Sequence, residues 1–169
     1  MLLDLGVPLE IENEHKQRAL HAAAGHNALS VARLLIERGA DVDPIETNWN
    51  AAPIGFAAYG DLTETLDFLS RYSKHVWTLS FRGYVDRLRE VLEAEPERAT
   101  VVDKDGFTPL WWLPDDEDRA IEIAQLLMAH GADPSRTSST GTTAADWASK
   151  RGMLELARIL TSGALHSLP

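Results

Sequence analysis

Six histidines, one run of four acids and five tryptophans are the residues of this chain best placed to do chemistry. His21 and His26 lie five positions apart, whereas two imidazoles gripping one metal from a single helix face need a spacing of roughly three or four. His15, His75, His130 and His166 are scattered, and there is no cysteine to supply a thiolate ligand or nucleophile. The acids of "DDED" (115–118) are dense enough to suggest a general acid and base. No nucleophile or pocket-forming segment adjoins them, so they read as a solvated helix start. Gly-x-x-x-x-Gly-Lys, Gly-x-Gly-x-x-Gly and Gly-x-Ser-x-Gly are all absent. The sequence therefore names no catalytic residue, no metal ligand and no cofactor site, and the expectation is a protein that is not an enzyme.

The bulk properties narrow the partners. A chain of 169 residues, 44% hydrophobic and 25% charged, has the composition of a globular domain with a sizeable core. A net charge of −10 argues against nucleic acid and acidic membranes, which are bound by clustered Lys and Arg that displace counterions. No apolar run approaches the ~20 residues that cross a bilayer. The opening "MLLDLGVPLE" has neither the basic nor the apolar region of a secretory signal, so a cytoplasmic protein is expected.

The elements that would position any site follow from internal repetition. A helix-ending leucine recurs at Leu3, Leu35, Leu69, Leu92, Leu127 and Leu160, with spacings of 32, 34, 23, 35 and 33. Each period reads as two short helices. In "VARLLIERGAD", Val31, Leu34 and Leu35 have the i, i+3, i+4 placement of an apolar helix face, and Gly39 supplies the left-handed residue that stops it. Gly131 repeats that stop, and "DKDG" (103–106) and "SSTG" (138–141) are turn signals.

Here the chain resembles the ankyrin repeat family, and bacterial ankyrin proteins in the style of its degenerate repeats. The match is carried by "ALHAAAGHNALSVARLLIERGADVD" (19–43), "APIGFAAYGDL" (52–62), "DGFTPLWW" (105–112) and "GTTAADWASKRG" (141–152). The resemblance implies an all-α fold, an α-solenoid of stacked helix-turn-helix units in one ankyrin repeat domain. The units expected are a partial repeat 1–12, repeats 13–46 and 47–73, a short repeat 74–99, a repeat 100–134 and a C-terminal capping repeat 135–169. The short repeat, "KHVWTLSFRGYVDRLREVL", lacks its turn finger, so its first helix should follow Tyr72 through only a tight loop. The next inserts "LPDDEDR" (113–119), where Pro114 ends one helix and Asp115 or Asp116 caps the next. At the N-terminus, "MLLDLGVP" is either the tail of a repeat belonging to a longer protein or a minimal cap formed by Leu2, Leu3 and Leu5.

What the resemblance implies about function is a protein-binding surface. His21, at the family's motif histidine, is expected to hydrogen-bond a neighbouring turn. Trp77 and Trp111 replace that histidine in their repeats, the first as packing and the second half-buried. The concave surface would comprise Asn48, Trp49, Ala51, Phe56 and Tyr59, then Lys104, Asp105, Phe107 and Trp112, then Ser139, Thr140 and Trp147. Aromatics dominate that set, which fits either binding anchors or an extended packing layer. Between Asp86 and Asp133 lie 13 of the 26 acids against 5 basic residues, so a partner with a basic segment is expected if acids rim the groove. The rival expectation is a structural segment of a larger repeat protein, monomeric or dimerising through its N-terminal end.

Overall fold

A computed structural model describes residues 8–163. The N-terminal leucines Leu2, Leu3 and Leu5, and also His166, lie outside them. All regular structure among the described residues is helical, apart from one isolated bridge between Thr137 and Thr143. The chain falls into two compact units, residues 1–75 and 76–169.

The first unit contains α1 (Ala19–Gly25), α2 (Leu29–Glu37), α3 (Pro53–Tyr59) and α4 (Thr63–Ser70). α1 packs on α2 and α3, and α4 on α2 and α3, around Leu20, Ala24, Leu35, Ile54, Leu66 and Leu69. Alanine is frequent at these contacts, with Ala24, Ala32, Ala52 and Ala57 fully buried, so the short helices approach closely. Val31 is not on the buried face: it is 46% exposed, and Ala32 and Leu35 are buried instead. The contact stripe is thus centred one residue later than the leucine pattern suggests, a shift of about 100° around the helix.

The second unit contains α5 (Val76–Phe81), α6 (Val85–Ala94), 3-10 turns at Pro96–Thr100 and Pro109–Trp111, α7 (Glu117–Ala129), α8 (Ala144–Lys150) and α9 (Leu154–Ser162). Its core includes Leu79, Leu88, Leu92, Leu110, Ile123, Leu127, Leu156 and Leu160. The expected helix at "TPLWW" is only a three-residue 3-10 turn, because "LPDD" turns the chain away immediately after it. Asp116, not Asp115, caps α7, accepting from the Arg119 N–H at 2.8 Å.

Four helix pairs share one tight connection. In each, a residue with positive φ (Asn27, Asp61, Gly83, Gly152) follows the first helix. The next N–H then reaches back five residues, as in Ala28 to Ala23 O and Tyr84 to Leu79 O, both 2.9 Å. Gly83, at φ +75°, also lies against α7: a Cβ there would come within 2.6 Å of Arg119 Cδ. Gly83→Ala is therefore expected to cost about 1–2 kcal/mol through the left-handed backbone. The check is urea denaturation, and an unchanged midpoint would refute it.

Candidate partner-binding site

In the first unit the site is built on a buried carboxylate that sequence reasoning passed over. Glu46 is 1% exposed. Its Oε1 accepts from the Trp49 N–H at 2.7 Å and the Ala51 N–H at 3.2 Å, and its Oε2 from the Asn48 N–H at 2.8 Å. Burial alone would raise its pKa, but the three backbone donors outweigh it and hold the carboxyl below the ordinary carboxylate range. Three other turns show the simpler form of this device. The N–H groups of Asn13, Asp103 and Ser138 donate to the carbonyls of Gln17, Phe107 and Thr142, each four residues on. Their side-chain oxygens collect the N–H groups within the turn. The Glu46 N–H instead reaches Ala51 O, five residues on at 3.1 Å. The turn is one residue longer, and the longer acid spans it.

His21 supports the same turn from below. It is fully buried; its Nδ1 accepts from the Arg18 N–H at 3.0 Å, which leaves Nε2 to donate to Ala51 O at 3.3 Å. Burial pushes its pKa down, against the carbonyls of Ala51 and Pro44 and the charge of Glu46, so the ring is held neutral. Ala51, expected on the surface, is buried, because its N–H and carbonyl are both consumed in fixing this turn.

Above that floor the aromatic residues meet. Trp49 stacks edge-on against Phe56 with centroids 5.4 Å apart, and Phe56 in turn meets His21 at 5.3 Å. Trp49, Ala51, Phe56 and Tyr59 line, with Gly25 and Gly60, a cleft of about 640 Å³. Phe56 is half-buried, whereas Trp49 is 69% and Tyr59 72% exposed. Asn48 is exposed on the turn, with its N–H held by Glu46.

In the second unit the selected residues are more dispersed. Lys104 and Asp105 are exposed on a turn fixed by Asp103. Phe107 is half-buried and lies 4.8 Å from Trp111, which is only 6% exposed rather than half-buried. The 3-10 turn points that indole inward. Trp112 is 38% exposed and meets Phe81 edge-on at 6.5 Å. Trp147 is exposed on α8. Thr140 belongs to a hydroxyl cluster with Ser138 and Thr142 that closes its own turn, and Ser139 is exposed beside it. A second cleft of about 460 Å³, at Gly83, Asp86, Arg87, Arg119 and Glu122, mixes both signs of charge.

The acidic run opens α7 with Asp115, Asp116 and Asp118 solvent-exposed, as expected, and its carboxylates also make local ties. Asp115 pairs with Arg151 at 2.7 Å, and Arg151 also donates to the carbonyls of Leu113 and Pro114. Asp116 caps its own helix. Glu117 Oε1 accepts from the N–H groups of Glu155 and Leu156 at 3.0 and 3.2 Å, so α7 caps the start of α9. Three of the four acids are therefore structural. Among the described residues, no group of three or more His, Asp or Glu could hold a metal ion, and no helix is long and apolar enough to cross a membrane.

Paired short helices, hydrogen-bonded turns between them and solvent-facing aromatics on one of those turns define a helical-repeat protein. Residues 15–47 match the ankyrin repeat family, and the all-α fold is similar to that of solved ankyrin-repeat proteins. An ankyrin repeat domain from Acinetobacter baumannii AYE is 23% identical, with 95% of this chain and 88% of that chain covered at a TM-score of 0.63. The ankyrin repeat protein EF0377 is 25% identical, with 95% and 87% covered at 0.63. A chain of the complex between the predatory endopeptidase Bd0816 of Bdellovibrio bacteriovorus and the immunity protein Bd3460 is 15% identical, with 96% and 89% covered at 0.64. No curated protein matches. Ankyrin repeats are in general protein–protein interaction modules, on a scaffold that serves unrelated partners.

Proposed function

We propose that this is a non-enzymatic protein-binding module, cytoplasmic, whose principal contact is the first-unit cleft. Asn48, Trp49, Phe56 and Tyr59 form that contact. Lys104, Asp105, Phe107, Trp112, Thr140 and Trp147 supply a second contact area on the other unit. Ankyrin-type repeats divided at 13–46, 47–73, 74–99, 100–134 and 135–169 carry these residues. The supporting observation is that Trp49 and Tyr59 leave most of their ring surface in solvent while flanking a formed cleft. Large, rigid aromatic side chains of this kind contribute disproportionately to protein–protein affinity. The acidic balance of the chain favours a partner bearing a basic segment.

The test is affinity capture with three forms of the full chain: wild type, Trp49→Ala with Tyr59→Ala, and Trp112→Ala with Trp147→Ala. Circular dichroism establishes folding of each. A protein held by wild type and lost from the first variant supports the reading. Equal retention by all three forms overturns it. Sedimentation of wild type over a range of concentrations gives the mass, and a monomer is expected.

A further inference from the structure

We infer that the first-unit cleft receives the guanidinium of an arginine from the partner protein. This rests on the reading of the cleft as a binding site, and it specifies what the site selects. Three features of the cleft point to a cation. The first is the exposed aromatic surface: ring faces attract a cation through their quadrupole, and indole does so best. The second is the backbone at its walls. Gly25 is the last residue of α1, Tyr59 the last of α3, and Gly60 caps α3. The cleft thus opens beside two helix C-termini, where most last-turn carbonyls are already bonded by N–H groups of the connection but the aligned peptide dipoles still place partial negative charge. Neither helix has a basic residue in its last turn to answer that charge. The third is the surrounding sequence. From Gly39 to Ser70 there are six acids and no Lys or Arg; Glu46 is buried and Asp41 pairs with Arg18, while Asp61, Glu64 and Asp67 are solvent-exposed. Asp61 directly follows the cleft residue Gly60.

Arginine fits these features better than lysine. Its planar group is weakly hydrated, stacks flat on an aromatic ring and offers five donors to carbonyls at the edge. The same unit already contains such a contact, with the Arg33 guanidinium carbon 4.8 Å from the centre of the Phe68 ring. The glycines keep the cleft open. A Cβ at Gly25 would meet Phe56 Cδ1 at 3.4 Å, so a larger side chain there would crowd the ring that forms the floor.

The experiment is selection of a displayed random peptide library on the full chain, with counter-selection on Trp49→Ala, Tyr59→Ala. The expected result is enrichment of sequences sharing one arginine. Replacing that arginine by citrulline, which has nearly the same shape without the charge, should then weaken binding at least tenfold, and replacement by lysine severalfold. Asp61→Asn should lower affinity at low salt and flatten its salt dependence. Cleft-dependent peptides without arginine, or equal binding of the citrulline form, overturn this inference and leave the binding module standing. If no peptide depends on the cleft, the binding reading fails and this inference with it.

Discussion

Glu46→Ala is expected to destabilise the protein by about 3 kcal/mol, from the loss of three hydrogen bonds to one buried charge. Of the three donors released, the Asn48 and Trp49 N–H groups sit on exposed residues and regain water, but the Ala51 N–H is buried and does not. At ~170 residues that loss lowers the midpoint of thermal unfolding by about 6–12 °C. Glu46→Gln keeps Oε1 for Trp49 and Ala51 but turns an amide N–H toward the Asn48 N–H, so its loss should be about half as large. The pH dependence separates charge from shape. Because the folded carboxyl titrates below its unfolded value, its contribution is complete above the unfolded pKa and fades as pH falls through the folded one. The gap between wild type and Glu46→Gln should therefore be full at neutral pH and close in strong acid. His21 adds a slope at higher pH. Its folded pKa is depressed, so its neutral form stabilises fully above the ordinary imidazole value, and that contribution is lost as acid protonates the ring. Chemical denaturation at several pH values checks both, and a pH-independent gap would sink the account.

The second large effect concerns binding. Trp49→Ala with Tyr59→Ala should weaken a cleft-bound partner at least 100-fold, since buried aromatic anchors contribute about 2 kcal/mol or more each. Folding should hardly change, because both rings lie mostly in solvent in the unbound protein. Phe56→Ala should behave differently. Its ring contacts both Trp49 and His21, so truncation removes the cleft floor and opens space above a buried imidazole. A stability loss of about 2–3 kcal/mol should accompany its binding defect. Calorimetric titration beside thermal unfolding resolves the two classes. If Trp49→Ala, Tyr59→Ala destabilised the fold as much as Phe56→Ala, these aromatics would be packing rather than anchors.

The architecture was legible because its signals are local. Leucine spacing marks the second helices, and Gly39 and Gly131 both adopt the positive φ that stops them. The cleft was legible only by resemblance. Repeat position places Trp49, Phe56 and Tyr59, and they share one cleft, with Ala51 buried at its base rather than exposed. Glu46 was passed over because a lone acid in a turn looks like a solvated one. The usable signal was register: Asn13, Asp103 and Ser138 begin equivalent turns, and 46–51 is one residue longer. Val31 and Trp111 show the complementary limit, since periodicity assigns a residue to a helix face but packing decides which face meets the core.

The ties from Asp115, Glu117 and the carbonyls of Leu113 and Pro114 to α8 and α9 bear on how freely such a protein can be rearranged. A splice at residue 134 would cut between the Arg151 guanidinium and its partners Leu113, Pro114 and Asp115, and would remove the carboxylate that closes α9. The last two helices are thus interchangeable with foreign ones only as a package that begins at 113. In this chain the inheritable block extends back through α7 to the turn that precedes it.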